Sequence, residues 1–384
     1  MEYGKYIVYL IKCAILDQTP ENVPESLDLN KLYRLAKVHN VDVLVYCALK
    51  RVFDAEKLKE FEQSMQVALA QDTNQNYYLE EVSEAFEENQ IRFAVMKGFV
   101  IKPLYPSPEQ RHSVDIDIFV DDENTDRVKE IMEELGFTVE RFNHNIQDDA
   151  YSIGRFVHIE IHRTLISNKC SWDKACQKIT QRLKVTDGYK YRSEMTLEDF
   201  YLYMIGHMAK HMKYSGMGIK MVVDVWVYLN KYRDLIDKAL LDERLREAGL
   251  SEFNDNVLKL VGYWFSDKPA DDNIKNLSAY IISSGNYGTY KQLISTEIGE
   301  NSGTQGGRTA YYLRTVFIPY REMCSKYGFL EKLPFLLPFM WVYRAVTAVL
   351  FRRKNVEAIK SRHDNVDAEY AKQIVDFKKS IGIQ

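Results

Sequence analysis

The run Ser113–Val120 constrains the fold and the chemistry of this chain more than any other stretch. Its apolar residues alternate with others and are rich in isoleucine and valine, which predicts a β-strand. Because side chains two positions apart in a strand point to the same face, Asp115 and Asp117 should lie side by side, about 6–7 Å apart. The opposite face should bury the apolar residues Val114, Ile116 and Ile118. Two carboxylates at this spacing repel each other unless a cation lies between them, so the run predicts a divalent metal site and phosphate chemistry.

Length, charge and cysteine content narrow the class of protein. A chain of 384 residues exceeds the usual size of one domain, so two or three domains are expected. Acidic and basic residues are interspersed and the net charge is −4, which gives no general case for a nucleic-acid-binding surface. The five cysteines lack zinc-knuckle spacing, and the first residues lack a signal-peptide pattern. We therefore expect reduced thiols and a cytoplasmic protein.

One apolar segment, Leu333–Phe351, raises the question of a membrane. A spanning helix needs about 20 apolar residues, whereas Pro338 and Arg344 interrupt this segment. We therefore expect no integral span and favour a helix that is buried or faces a partner. Weak contact with a membrane surface through Leu333–Phe351 stays open as the alternative.

The pattern of the chain predicts three regions and an α+β fold. Residues 1–90 consist of amphipathic helical blocks, and residues 91–190 carry short strands around one helix that ends at Gly136. Residues 191–384 return to helices, with a cap at Thr196 that precedes the helix Glu198–Met212. This order predicts a core with a small mixed sheet, flanked by helical N- and C-terminal regions.

A second strand supplies a further carboxylate. The run Phe156–His162 alternates, so Glu160 should share a polar face with its two histidines. If this strand lies beside the first, Asp115, Asp117 and Glu160 converge and can hold two Mg²⁺ or Mn²⁺ ions. One ion would bind a triphosphate and the other would lower the pKa of an attacking hydroxyl, with Glu160 as ligand or base. The alternative is a solvated strand face with no ligand.

These residues resemble the signature of the DNA polymerase β-like nucleotidyltransferases, in which a glycine turn, an Asp-x-Asp strand and a later acidic strand residue recur. The resemblance is closer to a bacterial family of uncharacterised nucleotidyltransferases. Its pattern is matched by Met96-Lys97-Gly98, Tyr105-Pro106, Arg111 and Asp115-Ile116-Asp117. That family also carries two histidines four apart on a downstream helix and an aspartate on the next helix, and the matching residues are His207, His211 and Asp224.

The resemblance implies a polymerase-β-like core and metal-dependent transfer of a nucleoside monophosphate from an NTP to an acceptor hydroxyl, with release of pyrophosphate. Asp115, Asp117 and Glu160 would be the catalytic and metal-binding residues. The nucleotide-binding residues would be Lys97, Gly98, Arg111, His207, His211 and Asp224. Asp224 would orient one of the two imidazoles, and Lys102 is a weaker candidate for a phosphate contact. The acceptor could be a small molecule, a protein or an RNA end.

Two other functions remain open from the sequence. Phe99 stands where the superfamily usually has a small residue, so the fold could instead be a catalytically degenerate nucleotide-binding or protein-interaction module. A zinc hydrolase would use the histidines His158, His162, His207 and His211. That reading ranks last, because the chain lacks a His-Glu-x-x-His spacing.

Overall fold

A computed structural model describes residues 2–142, 148–166, 170–286, 288–289, 292–296, 317–351 and 368–383 of the chain. The described residues form one mixed sheet and a larger set of helices, so the predicted α+β class is confirmed. The strands are β1 (Phe93–Val95), β2 (Ile116–Val120), β3 (Thr138–Arg141), β4 (Asp148–Ile153), β5 (Val157–His162), β6 (Lys184–Val185) and β7 (Arg192–Glu194).

The sheet has the spatial order β3-β4-β5-β2-β1-β7-β6. β2 runs parallel to β5 and β1 runs parallel to β7, while the other neighbours are antiparallel. The two predicted acidic strands are therefore adjacent, as the carboxylate hypothesis required. The polar strands β6 and β7 have two and three residues, too few to give an alternating pattern in the sequence.

The α-helices that the structure describes surround this sheet and extend to both ends of the chain. They are α1 (Tyr3–Ile15), α2 (Leu29–Val38), α3 (Asp42–Leu49), α4 (Lys59–Glu88), α5 (Gly98–Ile101), α6 (Thr125–Glu134), α7 (Asp173–Gln177), α8 (Leu197–Tyr214), α9 (Ile219–Tyr232), α10 (Lys238–Ala248), α11 (Ser251–Phe265), α12 (Asp272–Ser284), α13 (Tyr320–Lys326), α14 (Leu337–Phe351) and α15 (Ala368–Ser380). At the predicted cap of α8, Thr196 Oγ1 accepts the N–H of Asp199 at 3.2 Å.

The strand predicted over Ser113–Val120 is shorter in the structure. It begins at Ile116, and Val114 is 49% exposed, so its predicted burial is wrong. The reason lies in α4, where the side-chain amides of Gln71 and Gln75 donate to the carbonyl oxygens of Ser113 and Val114. These carbonyls are therefore satisfied by a helix and not by a neighbouring strand, and Asp115 precedes β2.

Two large hydrophobic clusters hold the described residues together. The smaller one packs α4 and α6 on the apolar face of the sheet, with Phe86, Ile118 and Ile131 among its buried members. The larger one extends from Tyr6 to Ile383 and joins helices from both ends of the chain. The division at residues 90 and 190 stays a prediction.

The C-terminal apolar segment forms α14 after a short turn. On its described side chains an apolar face is exposed, since Phe339 is 68% and Val342 is 64% accessible. A partner or a membrane surface against this face therefore stays a prediction. In the described part of the chain, no helix combines the length and the apolar character that crossing a bilayer requires.

Candidate functional site

A cavity of about 170 Å³ lies among the β1–α5 turn, the start of β2, and helices α8 and α9. Eight of the nine predicted site residues line it, namely Lys97, Gly98, Arg111, Asp115, Asp117, His207, His211 and Asp224. The ninth, Glu160, is not part of this wall and lies next to Asp117 on β5. The fold thus brings together residues that lie far apart in the sequence.

Asp117 and Glu160 are register partners on the parallel strands β2 and β5. His162 lies two residues beyond Glu160, and its Nε2 is 2.6 Å from Asp117 Oδ1 and 3.5 Å from Glu160 Oε2. The ligand atoms of these three residues all lie within 4.8 Å of one another, which suits a divalent cation. Asp115, predicted as a ligand together with Asp117 and Glu160, is not in this group, whose third member is His162; Asp115 precedes β2 and lines the cavity, and its role as a ligand stays a prediction.

Two hydrogen-bond donors stabilise the ionised carboxylate of Asp117. It is buried, and its Oδ1 accepts hydrogen bonds from Lys97 Nζ and His162 Nε2, each at 2.6 Å. Burial alone would raise the pKa of Asp117, but the attraction of Lys97 and His162 outweighs it and holds the pKa well below its usual range. Burial would likewise lower the pKa of Lys97, and Asp117 raises it above the ordinary value. The two groups therefore form an ion pair at neutral pH.

The other two predicted carboxylates have opposite electrostatic environments. Burial, followed by repulsion from Asp117, raises the pKa of Asp115. The pKa of Glu160 is lowered, chiefly by its hydrogen bond with His162. Glu160 thus stays ionised as a ligand would, whereas Asp115 holds a charge that a neighbouring cation would stabilise.

The turn between β1 and α5 has an unusual backbone. Lys97 has φ 45° and ψ −113°, a region that favours glycine and strains a side-chain-bearing residue. At Gly98 a Cβ atom would overlap Arg111 Nη1 and lie 2.6 Å from Ser113 Oγ. Only glycine at this position lets the turn pack against the guanidinium, so the Lys-Gly pair shapes the cavity wall.

Phe99 and Lys102 face away from this wall. The Lys102 ammonium lies 4.1 Å from the centre of the Phe99 ring, and Phe99 lines a second cavity on the far side of α5. Lys102 Nζ also donates to Asp72 Oδ1 at 2.8 Å and Gln75 Oε1 at 3.0 Å on α4. Lys102 is therefore a buried partner of α4, which corrects its prediction as a phosphate contact.

Arg111 is fixed in the cavity wall by α9. Its Nε and Nη2 donate to the two carboxylate oxygens of Asp224 at 3.2 and 2.8 Å. Tyr105 Oη donates to Asp224 Oδ1 at 2.7 Å. Asp224 was predicted to orient an imidazole, but its carboxylate instead accepts hydrogen bonds from Arg111 and Tyr105 and so orients the guanidinium. Burial would lower the pKa of Arg111, and the attraction of Asp224 more than reverses this.

His207 and His211 lie on one face of α8 and line the cavity. Their Nε2 atoms are 3.0 Å apart, so one ring donates an N–H and the other accepts it. Burial, reinforced by neighbouring positive charge, lowers the pKa of His211 to about 3 and that of His207 well below its usual value. Both rings are therefore neutral at physiological pH, which suits contact with a ligand or mutual hydrogen bonding.

The sequence reasoning missed several residues of the cavity, above all Lys220, Tyr203 and Asn286. Lys220 Nζ donates to the carbonyl of His112 at 3.2 Å, and burial, followed by repulsion from Arg111, lowers its pKa to about 8. Lys220 precedes Asp224 by four positions on a predicted helix, so the two share a face and the spacing could have identified it. The hydroxyl of Tyr203 is buried without a hydrogen-bond partner among the described residues.

The four-histidine zinc site does not form in the described residues. His162 alone joins the candidate metal group, whereas His207 and His211 form a separate pair on α8. His158 lies 3.4 Å from Glu140 and 3.9 Å from Glu160, away from that pair. The four histidines do not converge, because His158 and His162 lie on strand β5 whereas His207 and His211 lie on helix α8.

Residues 25–266, more than half of the chain, match the family described as uncharacterised nucleotidyltransferase. No curated protein and no solved structure matches the chain. The mixed sheet with its paired acidic strands fits a polymerase-β-like core, so the predicted fold class is confirmed. The chain belongs to the uncharacterised nucleotidyltransferase family.

Proposed function

We propose that the protein transfers a nucleoside monophosphate from an NTP to an acceptor hydroxyl and releases pyrophosphate. This proposal rests on one observation, that an acidic group and several basic side chains lie at the same cavity. Asp117, flanked by Glu160 and His162, lies against a cavity whose wall also contains the cations Lys97, Arg111 and Lys220. A triphosphate with its divalent cation needs both sets of groups.

Asp117, Glu160 and His162 would hold the cation, either Mg²⁺ or Mn²⁺. Their two carboxylates and one imidazole within 4.8 Å fit a divalent ion. Asp115 lines the cavity near enough to Asp117 and Glu160 for their charges, after burial, to raise its pKa, and would contribute from the cavity side. When bound, the ion would neutralise charge on the phosphate oxygens and lower the pKa of the acceptor hydroxyl.

The protein's own residues bind and orient the substrates. Lys97 from the β1–α5 turn and Lys220 from α9 contact the phosphates, and Asp224 holds Arg111 in place for an equatorial oxygen. The acceptor oxygen forms a bond to the α-phosphorus, the bond from that phosphorus to the bridging oxygen breaks, and pyrophosphate leaves with the electron pair. Asp115, which lines the cavity, receives the proton of the acceptor hydroxyl.

The non-enzymatic alternative rested on Phe99 as the mark of a degenerate phosphate turn. Its ring lies over Lys102 and lines the other cavity, so it does not fill the proposed phosphate site. The geometry of the described residues therefore favours the transferase. The candidate acceptors are small molecules, proteins and RNA ends. The five cysteines form no disulfide, which supports a reducing compartment such as the cytoplasm.

Position-specific labelling tests the proposal. The protein is incubated with Mg²⁺ or Mn²⁺, each of the four NTPs, and three acceptor pools: the protein itself, total RNA and a metabolite extract. Parallel reactions carry the label on the α- or the γ-phosphorus. Nucleotidyl transfer moves the α-label to an acceptor and releases the γ-label as pyrophosphate. Transfer of the γ-label would make the protein a kinase, and hydrolysis with no labelled acceptor in any pool would also contradict the proposal.

A further inference from the structure

An unpaired amide forms part of the cavity wall. Asn286 is only 6% exposed, and its side chain lines the same cavity as Asp117. Neither Oδ1 nor Nδ2 of Asn286 has a hydrogen-bond partner among the described residues. Buried amides are almost always paired, so a donor and an acceptor left open beside a cavity point to a ligand that satisfies both.

The backbone fixes this amide in place. The N–H of Asn286 donates to the carbonyl of Val38 at 3.0 Å, at the end of α2. Gly285, with φ +65°, makes the turn that brings the chain there. Gly218 at the start of α9 allows close packing, since a Cβ on it would lie 2.7 Å from the Cα of Asn286. The amide is therefore built into the wall by α2, α9 and the end of α12.

Asn286 packs on Gly218, just beyond the C-terminal end of α8, whereas Asp117 lies near Tyr203 in the first half of the same helix. Tyr203 is near enough to Lys97 and Asp117 for their charges to affect its pKa. The chain before Asn286 packs on the C-terminal end of α8, where Tyr280 Oη donates to the carbonyl of Ser215 at 3.1 Å. From Tyr203 to His211 the helix rises about 12 Å. This separation leaves room for a sugar between phosphates at one end and a base at the other.

The wall near the amide suits a flat ring. Met204, Met208 and Met221 line the cavity, and thioethers make favourable contacts with aromatic rings. Met221 follows Gly218 by three positions on α9, on the side that packs against Asn286. An asparagine amide offers one donor and one acceptor side by side, the pattern that pairs with the edge of a nucleobase.

We propose that Asn286 reads the nucleobase of the NTP and sets the base preference of the enzyme. The inference rests on the proposed nucleotidyl transfer and adds the part of the substrate that the residue recognises. Asn286 lies beyond residues 25–266, the part of the chain that matches the family. The base preference would therefore be set by a residue outside the matched stretch.

Calorimetric binding to the full chain separates base from phosphate. The ligands are the α,β-methylene analogues of the four NTPs and inorganic triphosphate, each with Mg²⁺. The variants are Asn286→Leu, the near-isosteric Asn286→Asp, and the matched control Asn256→Leu, which removes a buried amide from α11 outside the cavity wall. Circular dichroism of each variant verifies the fold.

We expect the wild type to prefer at least one base by about tenfold or more. Asn286→Leu and Asn286→Asp should weaken binding of the preferred analogue roughly 5- to 100-fold and leave the affinity for inorganic triphosphate unchanged. Asn256→Leu should change neither affinity. Equal affinity for all four bases, or equal loss for triphosphate, would overturn the inference while the proposed function stands. If the Asn286 variants change labelling of the acceptor but not binding of any analogue, the inference is overturned too. If the wild type binds neither analogue nor triphosphate, the proposed function fails and the inference fails with it.

Discussion

Arg111 and Asp224 form a two-bond ion pair that joins residues 113 positions apart in the sequence. Both side chains are buried, and Tyr105 completes the hydrogen bonding of the carboxylate. The pair ties the segment before β2 to α9 and holds a guanidinium in the cavity wall. The position of Arg111 in the cavity wall therefore depends on how α9 packs against the segment before β2.

We expect Arg111→Met to lower the free energy of unfolding by about 3–5 kcal/mol, because it leaves the Asp224 carboxylate buried without its cation. Urea denaturation measures the loss. In the double variant Arg111→Met/Asp224→Leu no charge is left buried, so this protein should be more stable than Arg111→Met. A double variant that is as unstable as the sum of the two single variants would contradict the buried pair.

The second prediction separates the two roles of Lys97. Lys97→Ala and Lys97→Gly both remove the ammonium beside Asp117, so both should weaken binding of inorganic triphosphate by about tenfold or more. The two variants differ in backbone strain, since φ at this position is 45°. Lys97→Gly should therefore be more stable than Lys97→Ala by about 1 kcal/mol in thermal unfolding. Unchanged affinity would remove Lys97 from the phosphate site, and equal stability would contradict the strained turn.

Much of the fold and part of the site could be predicted from local pattern. Alternation identified β2 and β5, and the four-residue spacing placed His207 and His211 on one face of α8. These features depend on the periods of strand and helix, which a sequence displays directly. Lys220 carried the same kind of signal, because it shares a helical face with Asp224.

The rest depends on contacts between distant residues. Gln71 and Gln75 on α4 shorten β2, and no pattern within Ser113–Val120 indicates them. Asn286 reaches the cavity only because three separate elements pack around it. The partner of Asp224 was predicted wrongly for the same reason, since helical spacing shows which face a side chain shares and not which group lies across from it.

A third prediction concerns the charge of Lys220, whose pKa is lowered to about 8. Its ammonium is present below this pH and is lost above it, so the affinity for inorganic triphosphate should fall as pH rises through about 8 to 9. Lys220→Met should bind more weakly and lose this part of the pH dependence. Lys231→Met, at the exposed end of the same helix, serves as the control and should keep the wild-type profile. The same slope in Lys220→Met and wild type would contradict a phosphate contact.

Acid should destabilise the protein through the histidine pair. The pKa of His211 is about 3 in the folded chain and near 6.5 when unfolded, so the unfolded state takes up a proton first as pH falls. The stability that the neutral ring contributes is full above about pH 6.5 and declines toward pH 3. By pH 5 the expected loss is roughly 1–2 kcal/mol. His211→Gln cannot take up this proton and should lose less stability between pH 7 and 5, whereas an equal loss in variant and wild type would contradict the buried neutral pair.

The central claim is that Asp117 binds a divalent cation for nucleotidyl transfer. Its most direct test measures bound Mn²⁺ by electron paramagnetic resonance and pyrophosphate release in the same samples. The wild type should bind Mn²⁺, release pyrophosphate and stop when EDTA is added. Asp117→Asn should lose both by about 100-fold or more, while Asp121→Asn, a carboxylate just beyond the same strand, should keep both. Wild-type Mn²⁺ binding and turnover in folded Asp117→Asn would contradict the account.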